Sequence, residues 1–317
     1  MKAKDFLTLT ELSPDDLGLV LDLSVRLKKG REKGLGKNAL ARKTVALIFE
    51  KPSTRTRTSF QVAINELGGY ALSVGASELQ LGRGETIEDT ARVLSRIVHC
   101  VMARVNRHED LVRLAEASSV PVINGLSDLH HPVQILADLL TLKERKGRLK
   151  GLQVAWVGDG NNVCNSWMLG AGLSGIEFRA ATPMHYRPPA SLIREAQTLA
   201  RKTGGMVDVV DDPEEAADGA DCVMTDTFVS MGQDSEREER TRAFTPKYRV
   251  TERLMAESAR DAIFMHCLPA HRGEEVTPGV IDGPQSVVFE QAENRLHTTK
   301  ALLCFLLLES RELRALR

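Results

Sequence analysis

The chain has 317 residues and a formal net charge of −1, from 42 Lys and Arg against 43 Asp and Glu. This balance disfavours a general binder of nucleic acid, because such proteins are usually basic overall. The length favours two domains over one. The five cysteines form no Cys-x-x-Cys pair, which disfavours a disulfide framework and a structural zinc site and favours a reducing compartment.

Both ends of the chain predict folded segments rather than targeting or membrane segments. The start, MKAKDFLTLTELSPDDL, has no apolar signal-peptide core, and Ser13-Pro14 is typical of a helix start. The longest strongly apolar run, ALLCFLLL at 301–308, is too short to cross a bilayer and predicts a buried helix. We therefore expect a cytoplasmic protein without a nucleic-acid or membrane partner.

Apolar strand patterns alternate with helical patterns along the chain. In the first half, strands are predicted at 44–49, 100–105 and 120–125, with helices from Phe60 to Gly68, around 109–117 and over 131–147. In the second half, strands are predicted at 152–158, 177–182, 222–227, 262–268 and 286–290, with a helix after 162, another over 190–203 and one or two over 291–317.

This alternation predicts two open parallel-sheet α/β domains of similar size, joined by helices. The first domain is expected to cover residues 1–147 and the second 148–317, with the C-terminal helix at 295–317 packing back on the first. In open sheets of this kind, ligands bind beyond the carboxyl ends of the strands. Functional residues are therefore expected in the loops that follow the predicted strands.

The stretch FEKPSTRTRTSF at 49–60 gathers basic and hydroxyl side chains at a strand-to-helix corner. A helix N-terminus has unpaired N–H groups and about half a positive charge. Ser53, Thr54 and Thr56 add hydroxyl donors. Arg55 adds a planar fork that suits phosphate oxygens. The corner predicts a phosphate site, although a capped helix with exposed basic side chains is the alternative; the Walker A spacing is absent.

Other loops carry polar side chains with more than one interpretation. His131 and Gln134 begin a helix and could contact a carbonyl or an amide, or His131 could simply cap that helix. GDGNN at 158–162 lacks the third glycine of a dinucleotide fingerprint, since position 163 is Val. Its asparagines indicate either recognition of a small polar group or an Asx turn.

The later loops present an acid and a thiol. Asp226 follows a strand and could bind an ammonium group, and the charged stretch at 234–240 predicts a solvated helix or loop. Cys267 stands at a strand end, beside His266. It could be a nucleophile, a proton acceptor or an inert buried thiol.

Five separated motifs resemble those of the aspartate/ornithine carbamoyltransferase family, in the family's order and with similar spacing. They are FEKPSTRTRTSF, HPVQ, DTFVSMG, MHCLPAHRGEEV and ENRLHTTKALL. Ser-Thr-Arg-Thr and His-Pro-x-Gln are shared by carbamoyltransferases in general. Asp-x-x-x-Ser-Met-Gly combined with His-Cys-Leu-Pro is typical of members that act on ornithine. The resemblance covers essentially the whole chain; one departure is Phe228, where many members carry Trp.

The resemblance implies transfer of the carbamoyl group of carbamoyl phosphate to the side-chain amine of L-ornithine, giving L-citrulline and phosphate. The first domain would bind carbamoyl phosphate and the second would bind ornithine, without a metal or an organic cofactor. It further implies a place in arginine biosynthesis and a homotrimer or a multiple of trimers, in which Gln80 enters the site of a neighbouring subunit.

The resemblance also implies a role for each matching residue. Catalysis would depend on Arg104, His131, Asp226 and Cys267. Carbamoyl phosphate would be bound by Ser53, Thr54, Arg55, Thr56, Gln80, Arg104, His131, Gln134, Cys267, Leu268 and Arg295. Ornithine would be bound by Asn162, Asp226, Ser230 and Met231.

Two alternative functions differ from this expectation in their chemistry. The first is a carbamoyltransferase with another amine acceptor, such as acetylornithine, putrescine or aspartate, which the Ser-Met-Gly motif disfavours. The second is a non-catalytic anion-binding module on the same scaffold. The intact set of cations and donors at 53–56 and Arg104 disfavours that module.

Overall fold

The computed structural model describes residues 3–75, 78–80, 84–230 and 232–316, and for residue 234 it describes the backbone only. They form two compact units, Met1–Leu140 with Glu293–Arg317, and Thr141–Ala292. Each unit contains an open parallel sheet, which confirms the predicted fold class. Within the described residues, no helix combines the length and the apolar character needed to span a bilayer.

The first unit contains a four-stranded sheet in the order β2-β1-β3-β4. Its strands are β1 (Thr44–Phe49), β2 (Tyr70–Gly75), β3 (Cys100–Arg104) and β4 (Val122–Leu126). Its helices are α1 (Pro14–Lys29), α2 (Thr54–Glu66), α3 (Ile87–Leu94), α4 (His108–Ala117), most of α5 (Pro132–Lys146), most of α12 (Val288–Leu307) and α13 (Ser310–Ala315). The central strands β1 and β3 are almost entirely buried, as strands covered on both faces must be.

The second unit contains a five-stranded sheet in the order β7-β6-β5-β8-β9. Its strands are β5 (Gln153–Val157), β6 (Glu177–Ala181), β7 (Met206–Val210), β8 (Cys222–Thr225) and β9 (Ile263–His266). Its own helices are α6 (Asn162–Ser174), α7 (Ala190–Thr203), α8 (Pro213–Ala217), α9 (Arg237–Phe244), α10 (Glu252–Glu257) and α11 (Pro278–Ile281). Its apolar core includes Ala155 and Val157 of β5 together with Phe228 and Phe244.

Both strand orders place a topological switch point where functional loops were expected. In the first unit, β1 lies between β2 and β3, so the chain leaves β1 towards one side and returns on the other. In the second unit, β5 lies between β6 and β8 in the same way. Open α/β sheets bind ligands outside the strand ends at such points. The corner after β1 and the loop after β5 each occupy one.

Most predicted elements are confirmed, but the strand predicted at 286–290 is wrong. Only Ser286 makes a β-bridge, to Phe264, and α12 already begins at Val288. The backbone N–H of Val287 still donates to the carbonyl of Phe264 over 3.0 Å. Two successive valines favour a strand locally. The helical pattern that follows them, with Glu290 in the first turn, takes over after one bridge.

Candidate active site

In the first unit, the corner after β1 forms the N-terminus of α2. Ser53 is the N-cap residue in extended conformation, and its side chain makes no capping hydrogen bond. Thr54 is exposed, Arg55 is half-buried and Thr56 is buried. Because Ser53 does not satisfy the first-turn N–H groups, they remain available to an anion at the positive end of the helix dipole.

A buried hydrogen-bond chain joins α2 to α5 and α12. Arg295 donates through Nη2 to the hydroxyl of Thr56 over 2.9 Å and through Nη1 to Oε1 of Gln134 over 2.5 Å. Gln134 in turn donates through Nε2 to Asp138 over 2.8 Å. All four side chains are almost fully buried. Three of the predicted site residues therefore meet, and Asp138, which sequence reasoning did not single out, anchors the amide of Gln134.

Positive charge converges on His131 at the start of α5. Burial is the largest cause that lowers the pKa of His131 well below its ordinary value of 6.5. Three guanidinium groups act in the same direction, those of Arg295, Arg104 and Arg55. The imidazole is therefore neutral at physiological pH and can donate or accept a hydrogen bond without adding charge. This places Arg55, Arg104 and Arg295 in one electrostatic environment.

Arg104 owes its position to strand register. It is the last residue of β3, it is 5% exposed, and it pairs with Phe49 at the end of β1. Its carbonyl accepts from the N–H of Glu50 over 2.9 Å, which fixes the corner against β3. Gln80, by contrast, is exposed, and its carbonyl accepts from the N–H of Glu85 over 3.2 Å. The role of Gln80 in a neighbouring subunit's site stays a prediction.

In the second unit, Asp226 is the centre of the polar cluster. It directly follows β8 and is 8% exposed. The thiol of Cys267 donates to its Oδ1 over 3.1 Å, and the amide of Asn161 donates to its Oδ2 over 2.8 Å. The N–H of Thr227 also donates to Oδ1, over 2.8 Å. The structure therefore brings together two predicted residues, Asp226 and Cys267, from the ends of β8 and β9.

Asn161 has two roles that the sequence patterns did not separate. Its Oδ1 accepts from the N–H groups of Val163 and Cys164, at 3.0 and 3.1 Å, and so caps α6. Its amide then points to Asp226. Asn162, the asparagine predicted to bind ornithine, is the half-buried first residue of α6. Among the sequence signals, the N-cap position just after β5 is the one that could have indicated Asn161.

The segment after Asp226 is held by an arginine that was expected to be solvated. Arg240 of α9 is only 4% exposed, whereas residues 235–239 are exposed as expected. Its guanidinium forms an ion pair with Asp159, and its Nε donates to the carbonyl of Phe228 over 2.6 Å. It also lies over the ring of Tyr186, 4.8 Å from the centroid. Arg240 is buried because these partners replace its water contacts.

Burial and the charge of Arg240 have opposing effects on the pKa of Asp159. Burial raises the pKa of Asp159 to about 7, and the charge of Arg240 opposes this effect without cancelling it. The charge of Asp226 raises the same pKa further. Asp159 and Asp226 therefore interact electrostatically within the second unit. Ser230 is half-buried, and its N–H donates to Oε1 of Gln233 over 2.9 Å; Met231 lies outside the described residues.

A buried pair of side chains, His266 and Glu275, supports the turn that carries Cys267. His266 accepts through Nδ1 from the N–H of Leu268 over 2.9 Å, so that its Nε2 carries the proton. That Nε2 lies 3.3 Å from Oε1 of Glu275, and both side chains are fully buried. Leu268 has a positive φ of 58° and precedes a cis proline. The pair thus holds a backbone conformation that non-glycine residues rarely adopt.

Among the residues that the structure describes, two groups of side chains offer metal-type ligand atoms within 4.8 Å of one another: Asp226 with His266 and Cys267, and His271 with Glu274 and Glu275. Contacts inside the protein already engage both groups. Cys267 donates to Asp226, the N–H of His271 donates to Glu275, and Glu275 lies 3.3 Å from Nε2 of His266. The expectation that catalysis needs no metal or organic cofactor stays a prediction.

Two family models match the chain. The carbamoyl-P binding domain of aspartate/ornithine carbamoyltransferase matches residues 4–144, and the Asp/Orn binding domain of the same family matches residues 150–306. The chain belongs to the aspartate/ornithine carbamoyltransferase family. The resemblance that the five motifs indicated is therefore confirmed over nearly the full length.

Individual members of the family match at high identity. An ornithine carbamoyltransferase of Carboxydothermus hydrogenoformans is 52% identical over 306 residues, covering 96% of this chain and 98% of that protein. An ornithine carbamoyltransferase of Archaeoglobus fulgidus is 51% identical over 304 residues, covering 96% and 97%. The solved structure of ornithine carbamoyltransferase from Pyrococcus furiosus has a TM-score of 0.93 and 48% identity, covering 96% of this chain and 97% of that one.

Proposed function

We propose that this protein transfers the carbamoyl group of carbamoyl phosphate to the side-chain amine of L-ornithine, giving L-citrulline and phosphate. The observation that carries the proposal is the contact between Cys267 and Asp226. It joins the two motifs, His-Cys-Leu-Pro and Asp-x-x-x-Ser-Met-Gly, that are typical of members acting on ornithine. Two relatives about half identical over nearly the whole chain, each named ornithine carbamoyltransferase, support the same reaction.

The first unit supplies the binding site for carbamoyl phosphate. Its phosphate is an anion that needs fixed donors and cations, and the N-terminus of α2 offers both through Ser53, Thr54, Thr56 and Arg55. Arg104 and Arg295 lie close enough to lower the pKa of His131, and so form part of the same positive region. Gln134 is held by Arg295 and Asp138, ready to contact the carbamoyl amide.

Negative charge develops on the carbonyl oxygen as the amine attacks the carbonyl carbon. The C–O bond to phosphate then breaks, and phosphate leaves with that electron pair. Arg104, the neutral imidazole of His131 and the Thr56 hydroxyl are the groups that we assign to the oxygen. Fixed donors of this kind cost no reorganisation during the reaction, and removal of one typically lowers the rate by roughly 100- to 1,000-fold.

The second unit supplies the binding site for ornithine. Asp226 provides a carboxylate for an ammonium group, and Asn161 and Cys267 hold that carboxylate by hydrogen bonds. The side-chain amine of ornithine is protonated at neutral pH, since alkyl amines have pKa values of about 10. It must lose a proton before it can attack, and we assign orientation and proton removal to the Asp226–Cys267 pair. Asn162, Ser230 and Met231 complete the proposed contacts with ornithine.

We further propose that the enzyme is a homotrimer, or a multiple of trimers, to which Gln80 contributes across subunits. Edge strand β2 carries Tyr70 and Leu72, which are 65% and 36% exposed, and Val93 and Ile97 in and after α3 are 52% and 66% exposed. Exposed apolar side chains on one unit favour an interface. The five cysteines are thiols rather than disulfides and four of them are buried, which suits the cytoplasm. Light scattering of the purified protein should give three, six or more chain masses in multiples of three.

The acceptor panel is the test of the reaction itself. Citrulline should form from carbamoyl phosphate and L-ornithine, whereas acetylornithine, putrescine and aspartate should react at least ~100-fold more slowly, because each lacks a group for which the site has a partner. A faster reaction with any of the three would overturn the choice of acceptor. Tight binding of carbamoyl phosphate with no carbamoylated product from any amine would instead favour the anion-binding module.

A further inference from the structure

Two long basic side chains of helix α12 contact helix α2, one at each end of α2. Arg295 contacts Thr56 in the first turn of α2, where the proposed phosphate site lies. Lys300, five residues further along α12, donates to Oε2 of Glu66 in the last turn of α2 over 2.9 Å. Both contacts lie within the first unit. The helix whose N-terminus faces the phosphate is therefore held by α12 at two points.

The contact at the far end is built from a buried charge. The side chain of Lys300 is 2% exposed and that of Glu66 is 24% exposed. Glu66 also accepts from Arg31 through Oε1, at 3.0 Å from Nε and 2.7 Å from Nη2. Burial would raise the pKa of Glu66, but the hydrogen bonds from Arg31 and Lys300 outweigh it and lower the pKa. Glu66 is therefore ionised at neutral pH, and both cations face a negative charge.

A buried ion pair is an expensive way to stabilise a fold, since both charges lose their water. An apolar side chain at position 300 would fill the same space without that cost. What an ion pair adds is direction, because it fixes one relative placement of the two elements that carry it. Here those elements are the helix that bears the phosphate donors and the helix that bears Arg295.

We propose that Lys300 is a positioning residue for carbamoyl phosphate, which acts through Glu66 by fixing α2 relative to Arg295. The inference rests on the proposed function, since it assumes that the N-terminus of α2 binds the phosphate group. Lys300 touches no substrate. Without it, Glu66 keeps its hydrogen bonds to Arg31, and the last turn of α2 loses this ion pair with α12. Small displacements of a binding group are costly, since about 1 Å can change a rate by roughly 100-fold.

The test compares Lys300→Met with a matched variant in the second unit, Lys146→Met. Lys146 is similarly buried, with a side chain 7% exposed, and donates to Asp261 over 2.8 Å. For each protein, calorimetry gives the dissociation constant of carbamoyl phosphate, kinetics give both KM values, and thermal unfolding gives Tm. Lys300→Met should weaken carbamoyl phosphate binding roughly five- to tenfold with an ornithine KM within about twofold of wild type, the split expected for one misplaced binding site.

Lys146→Met should lower Tm to a similar extent and leave carbamoyl phosphate binding unchanged. Lys300→Arg, which keeps the charge, should restore most of the affinity. If Lys300→Met does not fold, Glu66→Gln provides the same comparison from the other side of the pair. Unchanged affinity in Lys300→Met or Glu66→Gln, or an equal loss in Lys146→Met, overturns the inference. Absence of citrulline formation by the wild type overturns the proposed function instead, and calorimetry still decides the role of Lys300.

Discussion

The thiol of Cys267, at the end of β9, donates a hydrogen bond to Oδ1 of Asp226, at the end of β8, over 3.1 Å. Neighbouring parallel strands bring the two side chains together, since Thr225 pairs with His266 in the β8–β9 register. A thiol and a carboxylate in contact can share the handling of one proton. The pair is therefore the part of the second unit most directly open to mutational test.

Asp226→Asn keeps the shape of the side chain and removes its charge. We expect the ornithine KM to rise and kcat to fall by about 100- to 10,000-fold, the range for a lost acid–base group. Affinity for carbamoyl phosphate should stay near that of the wild type. Steady-state kinetics with each substrate varied will check this. An unchanged ornithine KM would contradict the assignment of Asp226 to the amine.

Cys267→Ser retains a donor to Asp226, whereas Cys267→Ala removes it. We expect the serine variant to keep much more activity than the alanine variant, because only the latter removes the side-chain donor to Oδ1 and leaves it with the N–H of Thr227. Cys222→Ala, at a buried thiol in β8, is the matched control. Equal activity in Cys267→Ser and Cys267→Ala would show that the hydrogen bond does not matter.

Two substitutions of Asn161 can distinguish its role as a helix cap from its role in positioning the carboxylate of Asp226. Asn161→Ala loses both roles and should cost about 1 kcal/mol of stability through the lost cap. Asn161→Asp keeps a capping oxygen, so it should retain more stability than Asn161→Ala. It also sets a second carboxylate against Asp226. Both variants should raise the ornithine KM, as measured by kinetics alongside urea unfolding. A normal ornithine KM in Asn161→Asp would contradict the positioning role.

The Arg240–Asp159 pair should respond like a buried ion pair. At pH 8, where the Asp159 carboxyl is ionised, Arg240→Met leaves it without its counter-charge and should cost about 3–5 kcal/mol. Addition of Asp159→Asn should recover part of that loss. The control is Arg242→Met on the same helix, where the side chain is 82% exposed and the effect should stay below about 0.5 kcal/mol. Equal losses at 240 and 242 in urea unfolding would contradict the contribution of burial.

Asp159 also predicts a pH dependence with a definite sign. Its pKa is raised from 3.8 to about 7 in the folded state, so the folded protein holds a proton that the unfolded chain has released between those values. Its contribution to stability is therefore present at low pH and is lost as pH rises towards 7. Relative to Asp159→Asn, the unfolding free energy of the wild type should fall by up to about 1.4 kcal/mol per pH unit in that window. Urea unfolding at several pH values will measure it.

His131 should stay neutral where ordinary histidines titrate. Its pKa is lowered by burial and by neighbouring guanidinium groups, so the unfolded chain binds a proton below about pH 6.5 that the folded protein does not. This group therefore makes the fold less stable as pH falls through that value. The NMR signal of its Cε1–H, assigned by comparison with His131→Gln, should not shift between pH 8 and 6. A titration midpoint near pH 6.5 in this signal would contradict the assignment of a neutral imidazole to His131.

Sequence patterns predicted the central strands better than the edges. The apolar, β-branched runs of β1, β5 and β8 are buried, and their pattern is unambiguous. The patterns missed β2 and β7, each of which is one of the two terminal strands of its sheet, although they indicated the other two, β4 and β9. YALSVG and MVDVV mix Ser, Gly or Asp with apolar residues, because an edge strand keeps one side towards solvent.

Within the candidate site, motif positions predicted the anchor residues but not their support. Two residues that the motifs indicated, Thr56 and Arg295, are in contact, since the guanidinium donates to the Thr56 hydroxyl. No local pattern indicates that Arg240, in a run of charges, is buried against Asp159, which lies 81 positions earlier. Such contacts depend on how α9 packs, and packing is not encoded in a short window of sequence.

The last helices have a consequence for how the chain is made. Residues 293–317 belong to the first unit, whereas the second unit is one continuous stretch, 141–292. Domains usually fold in the order in which they leave the ribosome. Here the first unit cannot be completed until residues that follow the second unit are translated, since Arg295 and Lys300 belong to the first unit. The second unit can therefore be completed on the ribosome before the first unit. A premature stop after residue 292 would leave the second unit whole and deprive the first unit of its C-terminal segment.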